Sequence, residues 1–346
     1  MKKRTRFLTS RHCEERKRRS KLGTGSAMTG KRKVLEKLYE RLSMAKIEII
    51  ILGTTAGIPT RERAHPAISL IYRDRNEFCY LFDCGEGTQR QMLLANLNPM
   101  KLNEIFITHW HGDHYLGLPG LVDTMSFEDR VKSLTIYAPE AERLTNLLNS
   151  GYSSKTFEVI SKSVPIKGDK ITDLLETANF KIVSTPVEHK VPAVAYSLIE
   201  KDRIKIDKDK IKQAGLPAQG LIYKEIKEKG KVIFKNREIK LEEISLTRKG
   251  RKVVYSGDTK MCDNLIKLAQ NADLLIQDCT YFNFGEFEKY EHASLEDIIK
   301  VVEQIRAKKV ILTHISRRYK NPEKLRKQIE DYPSLKIAED FMKLAI

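Results

Sequence analysis

The sequence predicts a layered α/β domain, and three observations carry that expectation. Short apolar runs of strand length recur from Ile47 to Thr313. Helix-like segments alternate with them, the pattern of helices packed on sheets. A polar group closes nearly every run, so functional side chains gather at strand ends. At 346 residues the chain can bury a substantial core in one or two domains.

Composition narrows the class. No apolar run is long enough to span a bilayer, so a membrane role is not expected. The five cysteines, Cys13, Cys79, Cys84, Cys262 and Cys279, are scattered, odd in number and form no CxxC pair. A disulfide framework is therefore not expected, and a reducing, cytoplasmic setting is. The net charge of +17 is concentrated in two segments: 15 Lys/Arg against 4 Asp/Glu in residues 1–43, and 17 against 8 in residues 201–252. The remaining chain is net −3. Localised basicity of this kind suits a polyanion, although a solvated lysine-rich surface has the same composition.

Residues 1–43 read as a basic, disordered N-terminal extension, with a linker at Gly23-Thr24-Gly25-Ser26 and a short amphipathic helix over Val34 to Leu42. It is either an RNA-binding tail or sequence upstream of the natural start. The good strand that begins just after Met44 favours the second, so the folded domain is set at 44–346.

Ile47 to Leu52 is the first strand, followed by the Gly53–Thr60 loop. Ala67 to Tyr72 and Phe78 to Phe82 pair across a turn at Asp74-Arg75-Asn76, and the second leads through Asp83-Cys84-Gly85-Glu86-Gly87 into a helix. Asn103 to Thr108 is a buried strand. Further strands are expected at Leu134–Tyr137, Lys181–Pro186, Val194–Ile199, Lys252–Tyr255, Ala272–Ile276 and Val310–Thr313, with helices at Glu140–Leu148 and after Ser294, where Asp297 completes a capping box. A charged insertion occupies about 201–252.

The densest chemistry is His109-Trp110-His111-Gly112-Asp113-His114. Period-two alternation sets His109 and His111 on one face of an extended chain. Gly112 then breaks the strand, and Asp113 and His114 turn toward a second point. Imidazole with carboxylate favours zinc or a similar divalent ion, at two adjacent sites. Six of the eight histidines, including His189, His292 and His314, lie at strand ends or helix starts; His12 and His65 are the outsiders. Trp110 reads as packing beside the site.

These stretches resemble the metallo-β-lactamase superfamily, and more narrowly the ribonuclease Z family of tRNA 3′-processing endonucleases. The narrow likeness rests on Leu52-Gly53-Thr54 with Gly57-Ile58-Pro59-Thr60, Phe82 to Gln91, His109 to His114, Glu188-His189, Tyr255 to Thr259 and Thr313-His314-Ile315-Ser316 with Arg318-Tyr319. It spans about residues 46–346. The resemblance implies a four-layer αββα sandwich and two zinc ions per subunit: His109, His111 and His189 on one, Asp113, His114 and His314 on the other, Asp258 bridging. Two such metals can clamp both oxygens of an in-line phosphoryl displacement. It further implies Asp113 as general base, and His292 as the acid for the leaving 3′-oxygen, oriented by Asp278. Both of those stretches depart from the family's usual wording, and Asp278 stands where the family has glutamate. Asp83 is expected to orient a ligand histidine, and Ser316 and Arg318 to hold phosphate.

The 201–252 insertion matches the position of the family's tRNA-binding exosite arm, with Gly220-Leu221 in place of its Gly-Pro; composition alone reads as a charged surface loop. The implied activity is hydrolysis of the 3′ trailer from precursor tRNA by a homodimer. The alternative is a phosphodiesterase or arylsulfatase of the same fold acting on small molecules, which would have no use for the basic arm.

Overall fold

The apolar runs assemble into two mixed seven-stranded sheets. The computed structural model describes residues 45–149, 155–282 and 291–346. The extension at 1–43 and its helix lie outside the described residues. The chain divides into two units. Of the smaller, the described residues are 45–46 and the Asp74–Asn76 turn, closed by Asn76 N donating to Asp74 Oδ1 at 2.7 Å. The larger, 47–73 with 77–346, holds the sheets.

The first sheet runs Lys343–Ala345, Lys46–Gly53, Ala67–Arg73, Glu77–Phe82, Leu102–Phe106, Leu134–Ala138, Val159–Ser163. The second runs Leu335–Ile337, Val310–Thr313, Leu274–Asp278, Lys252–Tyr255, Ala193–Glu200, Phe180–Val187, Thr172–Glu176. The period of two sorts their side chains. Tyr80 and Phe82 point one way, into an aromatic layer between the sheets. There Phe106 lies 5.1 Å from Phe82, 5.0 Å from Tyr137 and 5.3 Å from Tyr196 of the second sheet, and Tyr72 lies 4.5 Å from Phe180. Cys79 and Leu81 point the other way, onto Leu118, Leu121 and Met125 of the helix Leu118–Phe127. The second sheet's outer face packs on the helices Asp263–Ala269 and Leu295–Ile305. The result is the expected αββα sandwich.

Several boundaries differ from the sequence expectation. The strand at 103–108 leaves the ladder at Phe106, and Gly112 opens a helical turn, Gly112–Tyr115, rather than merely ending a strand. The helix expected from Glu140 starts at Arg143. The Ser294–Asp297 capping box forms as expected. Unforeseen edge strands at Val159–Ser163 and Thr172–Glu176 are polar and half exposed, and carry no apolar run to betray them.

The insertion is not a surface loop. Strands Arg203–Ile206 and Ser245–Arg248 pair at its base, and two short helices and a hairpin enclose a separate core of Ile211, Leu216, Ile226, Val232, Ile239 and Ile244. Among the described residues no helix is long and apolar enough to cross a membrane.

Phe106 is fully buried at the junction of four rings. Truncation there leaves a cavity that both sheets line. We expect Phe106→Ala to lower the unfolding free energy by about 3–5 kcal/mol in denaturant melts, and Phe106→Leu to cost clearly less.

Candidate metal centre

Parallel pairing brings the chemistry together. Lys252–Tyr255, Leu274–Asp278 and Val310–Thr313 are parallel neighbours, so Asp258, Asp278 and His314 emerge from adjacent strand ends. In the other sheet Glu77–Phe82 runs parallel to Leu102–Phe106, so Asp83 emerges beside Thr108 and His109. Asp83 (φ 58°) and His314 (φ 56°) both sit in the left-handed region, where the chain turns sharply off its strand. A non-glycine residue holds that conformation only when its surroundings over-determine it. Gly257 (φ 59°) is a turn of another kind: an added Cβ would lie 2.7 Å from Thr108 Cβ.

His109 Nε2 and His189 Nε2 each approach His111 Nδ1 at 3.0 Å. His111 therefore faces its partners through Nδ1, although residues 107–111 have left the strand. Asp258 Oδ2 lies 3.2 Å from His114 Nε2, 3.2 Å from His314 Nε2 and 3.7 Å from His109 Nε2. Asp113 Oδ2 lies 3.4 Å from His314 Nε2 and 3.5 Å from His114 Nε2. Ligands roughly 2.0–2.1 Å from a tetrahedral ion stand roughly 3.3–3.4 Å apart, so these groupings fit metal. His114 Nε2 gives a second sign. It is buried and makes no hydrogen bond within the described residues.

The opposite edges of the rings are held. His114 Nδ1 pairs with Asp83 Oδ2 at 2.7 Å, as expected of Asp83, which also accepts from Thr108 N and Oγ1 and from Tyr255 Oη at 2.7 Å. His109 Nδ1 meets Thr108 Oγ1, His189 Nδ1 donates to the Glu291 carbonyl and His314 Nδ1 meets Thr280 Oγ1. Such bonds fix the tautomer and aim of a ligand imidazole. Asp278, His292, Asp258 and His314 also cluster closely enough to hold an ion. Asp278 is committed elsewhere, however. It accepts from His292 Nδ1 at 2.8 Å and from Thr259 N, Thr280 N and Thr280 Oγ1, so we read Asp278–His292 as a pair rather than as two ligands.

Charge follows the same geometry. Burial holds His109 well below the ordinary imidazole pKa and lowers His111 and His189, leaving neutral rings suited to ligation. Burial acts the same way on His114 and His314, but there the Asp258 charge, with neighbouring carboxylates, outweighs it; His314 is pushed up to about 10. Burial would raise Asp113 and Asp258, but the His114 charge, joined by His314, holds both below the usual carboxylate range. These shifts favour the protonated forms of His114 and His314 in the metal-free chain, at the positions where a metal would bind.

The centre lies in the floor of an open cleft of about 710 Å³, rimmed by Gly57, Tyr281, Ser316, Arg317 and Arg318. All the expected site residues line this cleft or lie directly beneath it. His65, set apart in the sequence reading, also lines it, buried with Nε2 3.3 Å from the Gly57 carbonyl. Tyr255 and Thr280 were missed as partners; nothing local in the sequence marks them, since they act across strands. Trp110 packs on Tyr115 and donates to the Pro139 carbonyl, beside the site as expected.

The family described as "Anti-Pycsar protein Apyc1" matches residues 47–244, and the "Beta-lactamase superfamily domain" matches residues 240–315. The metallo-beta-lactamase fold protein YhfI from Bacillus subtilis shares the fold at TM-score 0.60 and 18% identity, covering 87% of this chain and 100% of that one. The short form of human tRNase Z does so at TM-score 0.62 and 24% identity, covering 86% and 98%. Fold and centre together define a metal-dependent hydrolase of the metallo-β-lactamase class. A ribonuclease Z from Thermococcus kodakarensis is 40% identical over 303 residues, 85% of this chain and 90% of its own length. The chain belongs to the ribonuclease Z family.

Because His114 and His314 hold protons that a metal must displace, raising the pH strengthens metal binding and lowering it weakens binding. We expect zinc added to metal-free protein in weak buffer near pH 7 to release protons, and zinc affinity measured by competition with a chelator to fall steadily toward pH 5.

Proposed function

We propose that this protein is an endoribonuclease that removes the 3′ trailer from precursor tRNA, leaving a 3′-hydroxyl on the tRNA and a 5′-phosphate on the trailer. The observation that carries the reading is the convergence of seven His and Asp side chains in the cleft floor of a ribonuclease Z family member. We assign two zinc ions per subunit. His109, His111 and His189 would hold one; Asp113, His114 and His314 would hold the other, with Asp258 between them. Nitrogen-rich N/O donor sets favour zinc. When bound, the pair supplies Lewis acidity toward the phosphodiester and a nucleophile at neutral pH.

The chain's own groups supply the proton movements. Asp113 accepts the proton of the attacking water; Gly57 N donates to its Oδ2 at 2.9 Å, and positive charge beside it, from the His114 and His314 protons in the metal-free chain and from bound metal in their place, would keep it ionised. His292 gives a proton to the departing ribose 3′-oxygen. Burial disfavours its charged form, but the Asp278 charge and hydrogen bond outweigh burial and raise its pKa. Because Asp278 takes Nδ1, Nε2 is left for the leaving group. Ser316 and Arg318 would hold a flanking phosphate at the cleft rim.

The insertion is assigned as the arm that grips tRNA away from the cut. Exposed Lys212, Lys227 and Lys235 on its folded lobe suit phosphate positioning rather than base reading. A homodimer, in which one subunit's arm serves the other's cleft, is supported by exposed Leu93, Leu94, Phe127 and Val131. Free, buried Cys79, Cys84, Cys262 and Cys279 suit the cytoplasm.

A 3′-extended precursor tRNA, mapped at nucleotide resolution with and without chelator, tests the reading. The expected outcome is one chelator-sensitive cut between tRNA and trailer; zinc-loaded protein that binds the RNA and never cuts it would overturn the proposal. His292→Ala should slow cleavage roughly 10²–10⁴-fold with zinc content unchanged by atomic spectroscopy. A metal lost in that variant would make His292 a ligand.

A further inference from the structure

The two chain segments that carry the insertion leave the second sheet at Glu200 and return to it at Lys252. Between them lies an ionic clamp, centred on a buried carboxylate, that takes no part in the mechanism above. Glu200 is 7% exposed. Its Oε2 accepts from Arg251 Nε at 2.7 Å and its Oε1 from Arg251 Nη2 at 3.0 Å, a two-pronged pairing that fixes orientation as well as charge. Oε1 also accepts from Arg203 Nη2 at 3.0 Å and from Tyr72 Oη at 2.9 Å. Tyr72 belongs to the first sheet, and Arg251 Nη1 donates to the Ile346 carbonyl. One carboxylate thus ties the outgoing segment (Arg203) and the returning segment (Arg251) to each other and to the opposite sheet.

The backbone around the clamp is equally close. Glu200 N donates to Arg251 O at 2.8 Å, and Gly250 N donates to Asp202 Oδ1 at 2.9 Å. A Cβ added at Gly250 would lie 1.8 Å from Glu200 O. The lobe beyond has its own apolar core, so a small rotation at its base would swing it as a body. A guanidinium fork matched to one carboxylate is a directional joint, and burial shields the Glu200 carboxylate from water that would compete for it.

We propose that Glu200 is a positioning residue for the substrate: the Glu200–Arg251–Arg203–Tyr72 clamp sets the direction in which the basic lobe projects, and thereby the register of tRNA on the metal centre. This rests on the reading of the lobe as the tRNA-gripping arm. Loss of the clamp acts on a substrate long enough to touch both lobe and cleft, and spares one that reaches only the cleft. Misplacement by about 1 Å can cost about 10²-fold in rate.

The test compares precursor tRNA with bis(p-nitrophenyl) phosphate on zinc-loaded, full-length protein. Glu200→Gln is expected to lower kcat/KM for precursor tRNA by about 10–100-fold, chiefly through kcat, while kcat for the small diester and zinc content stay within about twofold. Tyr72→Phe, which keeps the ring in the aromatic layer and removes only the hydroxyl, should show a smaller effect in the same direction, and it serves if Glu200→Gln does not fold. Glu200→Gln placed in a variant whose residues 208–243 are replaced by a short linker should cause no further loss. Equal losses on both substrates, or loss of zinc, would make the clamp a general stabiliser and overturn the proposal, as would unchanged tRNA cleavage in both single variants. If the lobe deletion itself leaves tRNA cleavage intact, the arm assignment fails and the clamp proposal falls with it; that result is distinct from failure of the clamp alone.

Discussion

Asp258 is the side chain on which the rest of the site depends. One of its oxygens lies within 3.7 Å of nitrogens from three histidines, two from the 109–114 stretch after one sheet's strand and one from the end of a strand in the other sheet. A buried carboxylate is tolerable only when positive charge or hydrogen-bond donors surround it. Protons on His114 and His314 provide that charge in the metal-free protein; two divalent ions would provide it more fully. The same electrostatic requirement therefore draws the two sheets' strand ends together and selects what binds between them. Asp83 and Asp278 repeat the device one layer out. Each is a fully buried carboxylate surrounded by hydroxyls, backbone N–H groups and an imidazole.

Much of this was legible in the sequence because strand ends are local features. An apolar run followed by His or Asp marks both an element and the direction in which its last side chain leaves. That is why His109, His111, His114, His189, Asp258 and His314 stand out in the sequence. What escaped were relationships across the sandwich. Tyr255 ends one strand and Asp83 another, 172 residues apart. Thr280 links His314 to Asp278 only because two parallel strands stop level with each other. His65 looked like a loop residue because nothing next to it in sequence resembles a strand end. The edge strands at 159–163 and 172–176 are stabilised by their neighbours rather than by their own composition.

The insertion was the least readable segment, for a physical reason. Its apolar residues are spread thinly among lysines, and six buried side chains suffice for its core. Composition averaged over fifty residues hides so small a cluster and reports the charge instead. The lobe thus combines a surface suited to a polyanion with an interior sufficient to give it shape, and shape is what a long substrate reads.

The lobe's two ends leave from paired neighbours, since Ile199 and Lys252 face each other across one antiparallel ladder. A segment inserted at such a point closes a loop whose ends are already together, and closure cost grows only slowly with its length. The sandwich is therefore nearly indifferent to what is spliced in there. Lengthening, shortening or exchanging that segment can change which molecules the cleft meets, with the metal-binding scaffold left intact. Diversification of substrate choice and preservation of the chemistry fall to different parts of one chain.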